Sequence, residues 1–397
     1  MLYIERKTMR HLIIGNGAAG ITAAGRLREI SSTDDITVVS CENEAAYAKI
    51  MLPDYIGGKI SRDKLFIRNE KYYRDNNITL KSACAVRVYT NNKSVELLNG
   101  ERVPYDRLLL AMGGVPYIPN IMGLDGIKYY LLNSLEDADT IRRDAAHKKT
   151  AVVAGGGLTG IETAFALSRL GIRVSMIERE DRILPQQLDN ESNEVMISYL
   201  QKEGIEVVTG AAAIEVTGCG RNRNESVKPT GGKLELSNGS KTEFDMLVLA
   251  IGTRPNLAIL ENTPVECRRG ILVDSFMRTS VEDIYAAGDA AEMISAPSGG
   301  YVSCYVWSNA MSQGKFAASN MAGAASEFSF DAYRQNVTQL RDMPFFSMGM
   351  INPSGEGYEL IVAAENAGGV YRKLVIKDNI IVGMLFIGET GTAAAIS

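Results

Sequence analysis

Six glycines and three carboxylates have the types and spacing on which chemistry can be built. Gly15, Gly17 and Gly20 form Gly-x-Gly-x-x-Gly in HLIIGNGAAGITAAGRLREI. Gly155, Gly157 and Gly160 repeat it 140 residues later in KTAVVAGGGLTGIETAFALSRLGIRVSMIERE. In such a pattern the first glycine allows a tight turn, the second lets the backbone approach a pyrophosphate, and the third lets helix and strand pack closely. The helix that follows offers free amides and a partial positive charge to phosphate. Glu178 ends the strand IRVSMIE, about 20 residues beyond the second set, where an acid accepts both ribose hydroxyls of an adenosine. It would repel a 2′-phosphate, which favours NADH over NADPH, although Arg179 can soften that preference. In the first half the matching strand, ITVVS, ends at Ser40, so the acid is displaced to Glu42. The third carboxylate, Asp289, follows Gly288 in TSVEDIYAAGDAAEM. It sits where the chain turns beneath a ligand, or it caps an alanine-rich helix start.

Positioning these residues calls for two similar halves. His11–Ile14 and Ala151–Ala154 read as buried strands that run into the glycine turns. YDRLLLAMGGVP (Tyr105–Pro116, with Ala111 and Gly113) matches FDMLVLAIGTRP (Phe244–Pro255, with Gly252) position by position. Asp106 lies 91 residues after Gly15 and Asp245 lies 90 after Gly155. Two such units argue for two bound nucleotides.

The 397 residues suffice for two to three domains. A net charge of −5 argues against nucleic acid as the main partner. No apolar run reaches the ~18 residues of a membrane span, and MLYIERKTMR lacks the apolar core of a secretory leader. The five cysteines (41, 84, 219, 267 and 304) include no CxxC or CxxxxC pair. They read as free thiols of a reducing cytoplasm. Two histidines leave little for a zinc site.

Read in order, GNGAAG, AMGGVP, GGGLTG, AIGTRP and AAGDAA resemble the FAD- and NAD(P)H-dependent pyridine nucleotide-disulfide oxidoreductase superfamily. The likeness is to its NADH:rubredoxin reductase and nitrite reductase flavin-domain branch. The resemblance implies an α/β protein with two Rossmann-like, three-layer (ββα) domains, one inserted in the other, and a small C-terminal α+β domain. It would place an FAD domain at 9–115 and 245–325, an NADH domain at 116–244 and the last domain at 326–397. The first glycine set would hold the FAD pyrophosphate and Asp289 would bond the ribityl chain. The turn Trp307–Ala310, which opens the helix in YVWSNAMSQGKFAASNMAG, would face the pyrimidine end of the flavin. Trp307 is equally readable as core packing. Glu162, seven residues after Gly155, falls where the family often keeps a glutamate near nicotinamide and flavin. Lys49 falls where several members keep a cation near the flavin. A Lys49–Glu162 pair would shift both pKa values.

The stretch YAKIMLPDYIGG departs from the disulfide-reducing members, whose resembling motif reads roughly Y-x-x-C-G-x-P-Y-Y-I. Ile50 stands in the place of that cysteine. Electrons are therefore expected to pass from NADH to FAD and leave the flavin directly, for a small oxidant or a protein such as rubredoxin, ferredoxin or an iron–sulfur subunit. Two alternatives stay open: an electron-entry subunit of a larger complex, and a coenzyme A disulfide reductase or NADH oxidase-like enzyme. Residues 217–233 read as an exposed hairpin loop. The alternating runs after residue 335 read as strands, with a hairpin at KDNIIVG. The chain stops at Ser397, where the family usually continues into a final helix.

Overall fold

The computed structural model describes residues 8–218, 228–295, 300–303, 305–329, 335–365 and 369–391. The chain divides into two compact units, one of Met1–Ala48, Asp63–Val115 and Arg254–Arg334, the other of Lys49–Arg62, Pro116–Thr253 and Gln335–Ser397.

The first unit is built on a five-stranded parallel sheet in the order Ile284–Ala286, Arg107–Leu110, Arg10–Ile14, Asp35–Ser40, Ile78–Ser82. Strand Arg10–Ile14 feeds helix α1 (Ala18–Ile30), whose Ala23 and Ala24 are fully buried. Its small residues let it lie close to helix α7 (Trp307–Met321): a Cβ on Gly314 would come 2.2 Å from the Ala19 carbonyl oxygen. A three-stranded antiparallel sheet (Ala85–Tyr89, Ser94–Leu97, Arg102–Pro104) adds Val95 and Leu97 to the same core. The short helix α3 (Glu70–Asp75) is capped by the Asn69 side chain, which accepts from Tyr72 N.

The second unit repeats the plan. Its parallel sheet runs Ile205–Val208, Arg173–Ile177, Thr150–Ala154, Met246–Leu249, and strand Thr150–Ala154 feeds helix α5 (Leu158–Arg169). The repeated aspartates clip matching places. Asp106 Oδ2 accepts from Arg10 N at 2.9 Å, and Asp245 Oδ2 accepts from Lys149 N and Thr150 N at 2.9 and 3.0 Å. Each pins the start of the strand that leads to a glycine turn, which explains why the two share a register.

Helix α2 (Leu52–Ile56), just after Ile50, packs on α5, where a Cβ on Gly57 would lie 3.1 Å from Ala166 Cα. It is also tied to helix α4 (Leu135–Ala145): Tyr55 Oη donates to Asp139 at 2.6 Å, and Arg142 donates to the Tyr55 carbonyl at 2.9 Å. Strands Ala213–Gly218 and Gly232–Leu236 pair antiparallel on either side of the expected loop, whose residues 219–227 lie outside the described residues, as do Cys219 and Cys304.

The described C-terminal residues form a five-stranded antiparallel sheet in the order Gln335–Leu340, Met343–Gly349, Ile380–Ile387, Val370–Lys377, Tyr358–Glu365. The expected α+β domain shows a sheet and no helix among them. The KDNIIVG hairpin turns at Asp378 and Asn379, both at positive φ (52° and 60°), as a two-residue type I′ turn requires. Helix α6 (Asn190–Lys202) is fastened to this sheet through Asp189. That carboxylate caps α6 by accepting from Ser192 N at 3.0 Å, and it accepts from Tyr371 Oη and Lys373 Nζ at 2.7 Å each. Burial alone would raise its pKa, but Lys373, Ser192 and Tyr371 outweigh burial and hold it down at about 2. No described helix is long and apolar enough to cross a membrane.

Two expectations need correction. Alanine's helix propensity predicts a helix after Gly288-Asp289. The chain instead makes one 3-10 turn, Gly288–Ala290, and enters strand Ala291–Ile294. Pairing with Ile271–Val273 and Tyr301–Val302 overrides propensity there. The cysteines are also not all free: Cys41, after strand Asp35–Ser40, is bonded to Cys84, after strand Ile78–Ser82. A sequence separation of 43 hides from spacing what adjacent parallel strands bring together.

Candidate functional site

The glycine turns have the same geometry in both units. Gly15 sits at φ +111°, and a Cβ there would stand 2.1 Å from the Ala111 carbonyl oxygen; Gly155 sits at φ +115°, with Ala250 taking the place of Ala111 at 2.3 Å. A Cβ on Gly20 or on Gly160 would come within 1.9 Å of the carbonyl oxygen of Gly15 or of Gly155. These positions are closed to any side chain by sterics alone. Gly17 and Gly157 differ, because a Cβ on either would meet nothing within 4 Å. Of the six glycines in the two fingerprints, only these two leave such space. Gly113 and Gly252 take positive φ in the turns that follow the matched strands. Ala250 is absent from the sequence-predicted residues, although its match to Ala111 in the repeat carried the signal.

Helix starts separate into two groups. α3, α4 and α6 are capped by the side chains of Asn69, Ser134 and Asp189. α1, α5 and α7 begin at Gly17, Gly157 and Val306 with no side-chain cap, and the five-residue α2 likewise begins at Met51 without one. Amides at these starts remain available to an external acceptor. An elongated diphosphate fits the first two: a glycine opening next to uncapped amides, at the carboxyl edge of a parallel sheet.

The acids stand at the matching strand ends. Glu178 Oε2 accepts from Gly156 N at 2.6 Å and Oε1 accepts from Glu180 N at 2.8 Å. Each oxygen keeps lone-pair capacity for a ribose hydroxyl. Glu42 accepts from the Tyr47 hydroxyl, so its displacement by two residues leaves it held in place. Asp289 lies in the 3-10 turn, and Gly288 N donates to Gln313 Oε1 of α7 at 2.7 Å. Trp307 opens α7 and packs partly buried against the core of the first unit.

Lys49 opens a 3-10 turn, Lys49–Met51, and Ile50 within it is 58% exposed. Glu162 lies on α5, where Thr338 Oγ1 donates to its Oε1 at 3.2 Å. Burial raises the Glu162 pKa to about 7; the Thr338 bond opposes that rise and the Asp54 carboxylate adds to it. The hydrogen-bond partner of Glu162 is thus a hydroxyl 176 residues away, with a carboxylate nearby. Thr338 escaped the sequence reading because no local pattern marks a strand hydroxyl as a carboxylate's partner.

Residues 9–314 match the pyridine nucleotide-disulphide oxidoreductase family, and residues 337–397 match the rubredoxin NAD+ reductase C-terminal domain. Nitrite reductase [NAD(P)H] from Bacillus subtilis is 29% identical over 382 residues, covering 96% of this chain and 45% of its own length. The chain thus spans about half of that relative. Rubredoxin-NAD(+) reductase from Alcanivorax borkumensis is 30% identical over 383 residues, covering 95% of this chain and 94% of its own length. Among solved structures, NADH:rubredoxin oxidoreductase from Clostridium acetobutylicum superposes with a TM-score of 0.78 at 26% identity, covering 98% of this chain and 94% of the other.

Proposed function

The chain belongs to the pyridine nucleotide-disulphide oxidoreductase family, and on that premise we propose that it is an FAD-dependent oxidoreductase that passes electrons from NADH to a protein acceptor of the rubredoxin, ferredoxin or iron–sulfur type. The observation that carries this reading is the paired cradle, in which an open glycine adjoins an uncapped helix start in each half. In the first unit Gly17 and the α1 amides hold the FAD diphosphate, Glu42 takes its ribose and Asp289 its ribityl chain. In the second, Gly157 and the α5 amides hold the diphosphate of NADH and Glu178 takes the ribose diol. The proposed layout keeps an FAD domain at 9–115 and 245–325, an NADH domain at 116–244 and a C-terminal domain from 326; the match of 337–397 to a separate domain family supports the last boundary.

Flavin held there would supply the hydride-accepting and electron-donating chemistry. The residues around it orient and exclude. Glu162, with a pKa of about 7, holds or releases a proton at neutral pH beside the nicotinamide, and Thr338 fixes one of its oxygens. Ile50 supplies bulk and no electrons, so no thiol relays charge at that position. Cys41 and Cys84 lie next to Glu42, at the ribose end of the first cradle, and are placed here outside the electron path. A cytoplasmic site of action is part of the same proposal.

Purified protein should be yellow and should oxidise NADH with rubredoxin, ferredoxin or a dye as acceptor. A colourless protein that takes up no FAD ends the proposal. The second reading, an electron-entry module of a larger oxidoreductase, is favoured by the half-length match to nitrite reductase. It predicts dye reduction without turnover of small iron–sulfur proteins, and migration in native extract well above 43.1 kDa.

A further inference from the structure

Between strand Asp35–Ser40 and Tyr47 the first unit runs through residues 41–46 without regular secondary structure. No ladder therefore fixes the segment that carries Glu42, and side chains do so instead. Tyr73 of α3 is buried; its hydroxyl accepts from Ala46 N at 3.0 Å and donates to Asn16 Oδ1 at 2.9 Å. Asn16 Nδ2 donates to the Glu44 carbonyl oxygen at 3.3 Å. Asn16 stands between Gly15 and Gly17, so the circuit runs from the glycine turn through α3 to the segment and back to the turn. The turn is also joined to the strand end, where Gly15 N donates to the Val39 carbonyl oxygen at 2.8 Å. α3 is itself seated on α1: a Cβ on Gly25 would lie 2.8 Å from Tyr72 Oη. Tyr47 follows Ala46 directly, and its hydroxyl donates to Glu42. The bond at Ala46 thereby sets where the Tyr47 hydroxyl, and with it the Glu42 carboxylate, stands.

We propose that Asn16 and Tyr73 are positioning residues that hold Glu42 for the adenosine ribose, and so make the first cradle select FAD over a flavin without the adenosine half; the inference rests on the FAD reading above. Neither residue needs to touch the ribose. A carboxylate on a segment free to sample many conformations has to be ordered by the ligand when it binds, whereas one already held loses little freedom. Removing the Tyr73 hydroxyl strands Ala46 N and Asn16 Oδ1 together, and the segment must shift to satisfy them. The effect is local to the ribose end. FMN keeps the isoalloxazine, the ribityl chain and one phosphate, but it lacks the ribose that Glu42 meets. A circuit that merely supported the core would serve both flavins equally.

The test titrates FAD and FMN into full-length apoprotein, following flavin fluorescence, for wild type, Tyr73→Phe, Glu42→Ala and the double variant. Wild type should prefer FAD. Tyr73→Phe should bind FAD about five- to tenfold more weakly, the range of one ordinary hydrogen bond, and should bind FMN as wild type does. In the Glu42→Ala background the same substitution should cost FAD less than about twofold, because a residue acting through Glu42 has nothing left to position. Asn16→Ala opens the circuit at its other member and should lower the FAD-to-FMN preference in the same direction; it carries the test if Tyr73→Phe does not fold. Equal wild-type affinity for the two flavins overturns the proposal. So does a Tyr73→Phe variant that loses FAD and FMN by the same factor, or that loses FAD equally with and without Glu42, since either result makes the circuit a structural support. Unchanged FAD affinity in Tyr73→Phe overturns it as well. A wild type that binds neither flavin fails the FAD reading itself, which separates the two conclusions.

Discussion

Single residues were legible where sterics or a repeated register fixed them. The glycines needed only local pattern, because each role is a clash avoided or a space kept open. Glu178 was legible for the same reason, being a strand end at a set distance from a turn. It should govern coenzyme choice. Stopped-flow bleaching of the flavin should be faster with NADH than with NADPH by about 10- to 150-fold, from roughly 1.5–3 kcal/mol of charged hydrogen bonding. Glu178→Gln, which keeps acceptors but removes the charge, should narrow that ratio; equal rates in the wild type would defeat the assignment. Glu162 was marked by the family resemblance, but its environment was not, because Thr338 arrives from a distant strand. Its pKa is raised from 4.5 to about 7, so the carboxyl costs the fold nothing below pH 4.5, where it is protonated folded and unfolded alike. Above that the penalty grows until pH 7 and then stays constant. Glu162→Gln should therefore raise Tm at pH 8, by the equivalent of about 1 kcal/mol after allowance for solvent at a partly exposed group. It should leave Tm unchanged at pH 4, as thermal melts across that range would show.

Elements were legible when their period was clean and misread when a distant neighbour decided. The C-terminal strands alternate, and the hairpin turn is chemically marked by Asp378-Asn379. The alanine run after Asp289 carried a helical signal that strand pairing overruled. Asp189 shows how much one cap can bind together, since it starts α6 and anchors two residues of a strand more than 180 positions later. Asp189→Ala should cost about 2–3 kcal/mol at pH 7, combining a lost cap with an almost buried, uncompensated Lys373. The wild-type benefit is present above pH 3.8 and is lost as pH falls through about 2, so denaturant melts of the two proteins should converge in strong acid. The Cys41–Cys84 bond, invisible from spacing, joins neighbouring strand ends. Reduction under denaturing conditions should raise the number of titratable thiols by two; no increase would mean the pair exists as thiols.

For the whole chain, five ordered motifs made the family legible, while the long-range partners of Glu162, Cys41 and Asp189 were not, because sequence records order and these depend on which elements become neighbours. The bridge sharpens the electron count. Anaerobic titration with NADH should consume two electrons per FAD, in the wild type and in Cys41→Ser/Cys84→Ser alike. Four in the wild type and two in the variant would bring the pair into the electron path. A last consequence follows from the uncapped starts of α1 and α7. Free FAD should raise the Tm of apoprotein, since a ligand that binds only the native chain stabilises it by mass action. In a cell short of riboflavin, newly made chains would linger with those amides solvated, open to proteases and chaperones. Vitamin supply would then set how many copies persist, with no change in transcription.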